Sequence, residues 1–269
     1  MSKPVAIVSG GTFGLGREIA IHLAGAGYDV VTFGLRVISG LEGHDTLDET
    51  EAELNSRGLS AEVAEVDVTD ERAVTALIGD VAKRYGRVDC LVANAAIGPL
   101  GTVLDTEPEL WDRIMAVNLK GTYLCARAAI PAMKRGGRGG SIVIVGSGAG
   151  WGKPNMAAYA ASKGGLVALA QSMAYDHFHD GIRVNTVIPG GGGIVGGISL
   201  ARVKGQEERL GAGSPGTAAG RPTSGQDMAG AVGFLLSKDA EAISGTVLDV
   251  GCFFHQGGPI PRRPVSSEE

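Results

Sequence analysis

The stretch VAIVSGGTFGLGREIAIHLAG, residues 5–25, contains an apolar run, a glycine-rich loop and a helical pattern in that order. The run VAIV at 5–8 is typical of a buried strand, and the pattern from Arg17 onward is typical of a helix. Four glycines fall within the eight residues SGGTFGLG at 9–16. Such a loop is either a structural turn or a cradle for phosphate. The order strand, loop, helix favours the cradle, because a helix N-terminus offers free N–H groups to an anion.

The alternation of strands and helices continues along the chain. Apolar runs typical of strands occur at 5–8, 29–33, 61–68, 89–95, 141–146, 183–188 and 246–250. Helical patterns lie between them, as at 71–86 and 110–134. Because continuous Val/Ile runs are typical of strands buried on both faces, the sequence predicts an α/β fold with a doubly wound parallel sheet. We expect a single domain over 1–251, with a substrate loop at 190–222 and a C-terminal tail at 252–269.

Composition argues against several classes of function. The chain has 269 residues, 44% of them apolar, and a net charge of −5, which gives no basic surface for a nucleic acid. No apolar stretch reaches the roughly 18 residues of a membrane span, and we find no signal peptide pattern at the start, so we expect a cytoplasmic protein. The cysteines Cys90, Cys125 and Cys252 are scattered. They indicate neither a disulfide framework nor a zinc site.

The end of the second strand bears on the type of dinucleotide. In NAD sites an acidic residue about 20 positions after the glycine loop binds the ribose 2′-hydroxyl. This chain has Gly34, Leu35 and Arg36 there, with no carboxylate to repel a 2′-phosphate and a guanidinium that can bind one. The sequence therefore favours NADP(H) over NAD(H). The alternative is that Arg36 is a solvated loop residue and that the protein accepts both dinucleotides.

A second constellation lies in AAYAASKGG at 157–165, where Tyr159 and Lys163 are four residues apart and share one face of a helix. A nearby ammonium favours the phenolate, as proton exchange with a carbonyl or alcohol oxygen requires. Ser147 follows the strand SIVIVG and is expected in the same crevice, bound to the substrate oxygen. Asn118 lies within a helical pattern, where Asn is unfavourable unless its side chain has a local role. A YxxxK pair alone also occurs on ordinary helix surfaces.

Together these motifs resemble the short-chain dehydrogenase/reductase family. The glycine loop, ANAA at 93–96, Asn118, Ser147, YxxxK at 159–163 and RVNTVIPG at 183–190 occur in the family's order, over roughly residues 4–250. The resemblance implies a Rossmann-type oxidoreductase that moves a hydride between a nicotinamide and a carbonyl or secondary alcohol. It implies that Tyr159 is the acid–base group, that Lys163 lowers its pKa and binds the nicotinamide ribose, and that Ser147 orients the substrate oxygen. Asn118 would support a proton-relay water.

The resemblance also implies a cofactor site. Asp67 and Val68 match the adenine contact, and 94–96 match the segment that runs along the cofactor. Two residues depart from the family pattern: Ala96 stands where a glycine is usual, and Ile194 lacks the hydroxyl of the usual threonine. The residues expected to contact the dinucleotide are Gly10, Thr12, Phe13, Gly14, Leu15, Gly16, Arg36, Asp67, Val68, Asn94, Ala95, Ala96, Tyr159, Lys163, Pro189, Gly190, Gly192 and Ile194.

Other classes of protein share this fold. A non-catalytic dinucleotide-sensing regulator would keep the glycine loop and lose the Tyr or the Lys, and both are present here. A dehydratase or epimerase of the extended branch would carry a TGxxGxxG loop, which this chain lacks. The expected pocket at 96–100, 149–155 and 190–217 is largely apolar and favours a small neutral carbonyl or alcohol substrate. The family resemblance implies a homodimer or a homotetramer.

Overall fold

The computed structural model describes residues 2–38, 44–190, 194, 196–202 and 217–251. Gly192, most of the predicted substrate loop and the whole predicted tail at 252–269 lie outside the described residues. In the ranges just given, no helix is both long and apolar enough to cross a membrane.

A parallel sheet forms the centre of the fold. Its strands, within the described ranges, are Val5–Ser9, Asp29–Gly34, Glu62–Glu65, Cys90–Ala93, Gly140–Val145, Ile182–Ile188 and Val247–Asp249, labelled β1–β7. They lie in the order β3-β2-β1-β4-β5-β6-β7. β1 pairs with β2 on one side and β4 on the other, so Ser9 lies beside Phe33 and Ala93. The predicted doubly wound sheet is confirmed, and its ligand crevice opens where the strand order reverses, beyond the carboxyl end of β1.

Helices cover both faces of this sheet. In the described part of the chain they are Gly14–Gly25, Thr46–Ser56, Glu71–Tyr85, Pro108–Ile114, Gly121–Arg135, Ala157–Asp176, Gly197–Arg202 and Gly225–Leu236, labelled α1–α8. Ile7 and Leu91 belong to the core that α3, α5 and α6 cover, whereas Val8 and Val92 belong to the core that α1 and α8 cover. Because successive strand residues point to opposite faces, a strand between two cores is apolar throughout.

The predicted helix at 110–134 is interrupted. α4 continues through a π-helical segment, Met115–Lys120, into α5. A π turn accommodates an extra residue and is often found at functional sites. Asn118 lies in this segment and is completely buried.

α2 begins at Thr46, after the loop that follows β2. Asp45 caps the helix by accepting a hydrogen bond from the N–H of Asp48 at 3.1 Å. The hydroxyl of Thr46 donates to the carbonyl oxygen of Leu35 at 2.6 Å. This bond holds the acidic start of α2 beside the loop that follows β2.

Candidate active site

The glycine-rich loop connects β1 to α1. Gly10 and Gly14 have φ angles of 64° and 54°, a conformation that residues with side chains rarely adopt. A Cβ atom on Gly10 would lie 2.7 Å from the Cα atom of Ala95, so the loop lies directly against the end of β4. Phe13 precedes α1 and makes no side-chain capping hydrogen bond. The N-terminus of α1 therefore presents its N–H groups and its dipole toward the crevice, as an anion site requires.

Gly16 makes a close contact inside the same loop. A Cβ atom there would lie 2.1 Å from the carbonyl oxygen of Gly10 and 2.4 Å from Nδ2 of Asn94. Asn94 donates from Nδ2 to the carbonyl oxygens of Gly10 at 2.9 Å and Ser9 at 3.3 Å. Gly16 thus permits the start of α1 to pack closely against the loop itself, and the Asn94 side chain braces that loop.

Arg17 connects the loop to α2, a contact that sequence reasoning missed. The carbonyl oxygen of the buried Thr12 accepts hydrogen bonds from Arg17 Nη2 at 2.9 Å and from Thr50 Oγ1 at 2.8 Å. Arg17 also forms an ion pair with Glu49 at 3.2 Å. Since Glu49 and Thr50 belong to α2, the glycine loop and the start of α2 form one connected unit.

The surroundings of Arg36 correct one premise of the sequence analysis. Positions 34–36, at the end of β2, hold no carboxylate. Among the described residues, however, three carboxylates from other positions contact Arg36. Nη1 of Arg36 pairs with Asp45 and, at 2.9 Å, with Asp48, and Nε donates to Glu65 at 3.4 Å. The hydrogen bonds to Asp45 and Asp48 raise the pKa of Arg36 further above its usual range. The guanidinium is therefore already neutralised by anions of the protein.

Two further segments that the sequence analysis assigned to the cofactor site follow β3 and β4. The Asp67 carboxylate accepts hydrogen bonds from the N–H and the hydroxyl of Thr69, both at 2.8 Å, and the neighbouring Val68 is buried. Ala95 packs on the core beneath α5, and Ala96 is half-buried. These residues line the carboxyl ends of β3 and β4, the edge at which the glycine loop lies.

On the opposite side, Gly190 follows Pro189 at the end of β6 and contacts Gly251, two residues beyond β7. A Cβ atom on Gly251 would lie 2.1 Å from the Cα atom of Gly190. Ile194 and Leu15 both pack against the core beneath α1 and α8. A Cβ atom on Gly196 would lie 3.8 Å from the backbone nitrogen of Leu15, so the start of α7 lies near the glycine loop.

Lys163 is the most deeply buried charge of the candidate site. Its side chain on α6 is 2% exposed, and Nζ donates to the carbonyl oxygen of Val145 at 2.8 Å. The same Nζ lies 5.8 Å from the ring centroid of Tyr159. Burial lowers the pKa of Lys163 from 10.5 to about 8. Even so, the ammonium form prevails at neutral pH, beside the phenol whose ionisation it favours.

Ser147 lies two residues beyond Val145, at the same end of β5. Its Oγ accepts a hydrogen bond from the N–H of Ala149 at 3.2 Å and so caps the short helical turn Gly148–Trp151. Tyr159 is 7% exposed and lies in the first turn of α6. Ser147, Tyr159 and Lys163 are therefore brought to the carboxyl edge of β5, with the ammonium anchored on β5 itself.

Asn118 connects two segments of the site. Its Oδ1 accepts from the N–H of Ile97 at 2.8 Å, and its Nδ2 donates to the carbonyl oxygen of Ile97 at 2.9 Å and to Ser162 Oγ at 3.0 Å. Ser162 in turn donates to the carbonyl oxygen of Tyr159 at 2.8 Å. The side chain of Asn118 therefore binds the backbone after β4 and, through Ser162, the first turn of α6. Sequence reasoning missed Ser162, although a hydroxyl directly beside Lys163 in an apolar helix was the available signal.

The loops after β4 and β5 are also joined to each other. Gly101 forms a short parallel bridge with Met156. The N–H of Gly101 donates to the carbonyl oxygen of Asn155 at 2.9 Å, and the N–H of Ala157 donates to that of Gly101 at 3.0 Å. This bridge, Gly101 with Asn155–Ala157, joins the two loops at the start of α6.

Several known proteins are similar to this chain in sequence or in structure. A family model described as enoyl-(acyl carrier protein) reductase matches residues 10–252. A short-chain dehydrogenase/reductase of Hericium erinaceus is 34% identical over 248 residues, which cover 92% of this chain and 96% of that protein. The crystal structure of levodione reductase has a TM-score of 0.82 at 27% identity, covering 95% of this chain and 98% of its own. Carveol dehydrogenase of Mycobacterium avium, in complex with NAD, has a TM-score of 0.79 at 28% identity, covering 93% and 98%.

Proposed function

Because the chain belongs to the short-chain dehydrogenase/reductase family, and is thus an NAD(P)-dependent oxidoreductase, we propose that it interconverts a small neutral ketone and the corresponding secondary alcohol. One observation carries this proposal: the buried ammonium of Lys163, fixed by Val145 O at 2.8 Å, lies beside the ring of Tyr159. A buried charge costs free energy unless it is paired and hydrogen-bonded, and the partner of Nζ at Val145 is a neutral carbonyl. A role in lowering the pKa of the Tyr159 phenol accounts for a charge kept at such a cost.

The residues present fit a nicotinamide dinucleotide. The positive φ angles of Gly10 and Gly14 and the open N-terminus of α1 form a cradle for its pyrophosphate. When bound, the nicotinamide supplies or accepts a hydride. In the direction of reduction, Tyr159 gives the proton of its hydroxyl to the substrate oxygen, and the ammonium of Lys163 stabilises the phenolate that remains. Ser147 Oγ–H binds the same oxygen and stabilises the charge that develops there.

Asn118 contributes to this chemistry indirectly, because it positions other residues of the site. The resemblance implied that Asn118 supports a proton-relay water. In the structure its side chain forms hydrogen bonds with Ile97 and Ser162. The backbone carbonyl oxygen of Asn118 accepts a hydrogen bond from Thr122 Oγ1 at 2.9 Å. We assign Asn118 the role of holding the loop after β4 against the turn of α6 that carries Tyr159.

For the cofactor we propose NAD(H) as the preferred dinucleotide and NADP(H) as the weaker one, which reverses the preference drawn from the sequence. That preference rested on a free Arg36, and Arg36 is held by Asp45, Asp48 and Glu65. A 2′-phosphate would compete with these carboxylates and be repelled by them. The relative of known structure from Mycobacterium avium is described in complex with NAD, which supports the same proposal.

The regulator alternative is not favoured, because such a protein has no need of a buried lysine beside a tyrosine. Our substrate proposal rests on apolar side chains at the two bridged loops, including the partly exposed Leu100 and Trp151. We keep a homodimer or homotetramer as a proposal that rests on the family resemblance, and a cytoplasmic location as a proposal carried over from the sequence.

The test is oxidation of NADH and NADPH with a panel of cyclic and aromatic ketones, for the native protein and two tyrosine variants. Tyr159→Phe is expected to lower kcat by about 100-fold to 10,000-fold, the usual contribution of a general acid. Tyr175→Phe is the matched control, since Tyr175 lies on the same helix and is 85% exposed. Equal activity in both variants would contradict the proposal.

A further inference from the structure

The segment Val145–Gly150 contacts Lys163 at two places. At one end the carbonyl oxygen of Val145 binds Lys163 Nζ at 2.8 Å. At the other end Gly150 lies against the backbone of Lys163 and Gly164. We call Val145–Gly150 the arc; Ser147 lies in its middle. The position of Ser147 relative to α6 is therefore set by how closely the two ends of the arc approach that helix.

The Gly150 end of the arc has no room for a side chain. A Cβ atom on Gly150 would lie 3.0 Å from the backbone nitrogen of Gly164 and 3.1 Å from the carbonyl carbon of Lys163. A Cβ atom on Gly164 would lie 2.9 Å from the carbonyl oxygen of Gly150. All of these neighbours are backbone atoms, which cannot rotate away as the end of a side chain can. Neither glycine is among the residues with positive φ, so the requirement is for space.

We propose that Gly150 and Gly164 are positioning residues for catalysis, whose backbone contact fixes the spacing between Ser147 on the arc and Tyr159 and Lys163 on α6. The proposal rests on the function proposed above. Ser147 cannot adjust independently, since its Oγ caps the turn that contains Gly150. A methyl group at either position would move the arc by a few tenths of an ångström at the place where three groups must meet one substrate oxygen.

The test compares Gly150→Ala and Gly164→Ala with two matched controls. Gly79→Ala in α3 and Gly230→Ala in α8 also add a methyl group to a helical glycine, and there the space within 4 Å is empty. We expect Gly150→Ala and Gly164→Ala to lower kcat about tenfold or more, since small misplacements of reacting groups are costly in rate. KM for the dinucleotide should stay within about twofold of the native value, because the pyrophosphate cradle is elsewhere. The controls should match the native protein in both constants.

The double variant and a structure provide independent readouts. Because both methyl groups would enter one contact, the loss in kcat for the double variant should be smaller than the product of the single losses. A crystal structure of Gly164→Ala should show the Ser147 Oγ to Tyr159 Oη distance changed by a few tenths of an ångström.

Each outcome decides the question. Native-like kcat in both variants would overturn the proposal, as would an unchanged distance in the crystal structure. If both variants lost dinucleotide binding together with activity, the pair would be assigned to folding and the positioning role rejected. Failure of the proposed function itself is distinguishable, because the native protein would then show no turnover that depends on Tyr159.

Discussion

Replacing Lys163 with methionine removes a buried charge, and the effect on stability depends on pH. Lys163 is 2% exposed, and burial lowers its pKa from 10.5 to about 8. Below pH 8 the folded chain carries the buried ammonium and bears the whole cost of burying it. Between about 8 and 10.5 the unfolded chain binds more protons than the folded chain, so the free energy of unfolding of the native protein rises with pH. Above that range Lys163 is neutral in both states.

The size of this effect follows from the two pKa values. The gap between 10.5 and about 8 corresponds to about 3 kcal/mol, since a tenfold change in proton affinity is worth about 1.4 kcal/mol. We expect the stability of Lys163→Met, relative to native, to be greatest at neutral pH and to decline by about 3 kcal/mol toward pH 10.5. The variant also leaves the Val145 carbonyl without its ammonium partner at every pH. The pH dependence of the difference in the free energy of unfolding between variant and native protein therefore measures the cost of burying the Lys163 charge.

The assay is urea unfolding of the native protein and the variant at several pH values, with free energies from linear extrapolation. Tyr28 and Cys90, whose pKa values burial raises to about 12, titrate in both proteins and cancel in the comparison. Lys83→Met in α3 is the control, since it removes a lysine from an exposed position. A constant difference for Lys163→Met across the range would refute the reasoning.

Two further predictions concern Asn118 and Asp45. Asn118→Leu leaves the N–H and the carbonyl of Ile97 without their partner. At roughly 1–3 kcal/mol per group, urea unfolding should show a loss of about 2–6 kcal/mol. A loss no larger than that of Asn55→Leu, at an exposed position of α2, would contradict the bracing role. Asp45→Asn combined with Asp48→Asn leaves Arg36 with fewer anions, so kcat/KM for NADPH relative to NADH should rise about tenfold, whereas Glu51→Gln in α2 should leave this ratio unchanged. An unchanged ratio in the double variant would argue against carboxylate control of the cofactor.

Much of the fold could be predicted because its determinants are local in sequence. A strand that two helical layers cover is apolar on both of its faces, as the runs VAIV at 5–8 and IVIV at 142–145 show. The pairing of Tyr159 with Lys163 was equally accessible, since residues four apart on a helix are neighbours. The resemblance then placed Ser147 and the glycine loop at the same edge of the sheet.

The environment of Arg36 could not be predicted in the same way. Asp45 and Asp48 reach it only because the loop after β2 returns and Thr46 binds the carbonyl of Leu35. The contact between Gly150 and Gly164 was equally hidden, because a glycine has no side chain whose polarity or spacing forms a pattern. Such contacts depend on the path of the backbone between elements, which hydrophobic periodicity does not encode.

The bridge of Gly101 with Asn155–Ala157 has a consequence for how substrate range can change in this protein. Two loops that are distant in the chain share backbone hydrogen bonds at 2.9 and 3.0 Å. A change in the backbone of one loop therefore affects the other. A graft that replaced one loop alone would break the bridge beside the first turn of α6 and disturb Tyr159 together with the pocket wall. A graft that transferred both loops from one donor protein would carry the bridge with it. We therefore expect the two loops to keep the shape of the proposed pocket only when they are exchanged as a matched pair.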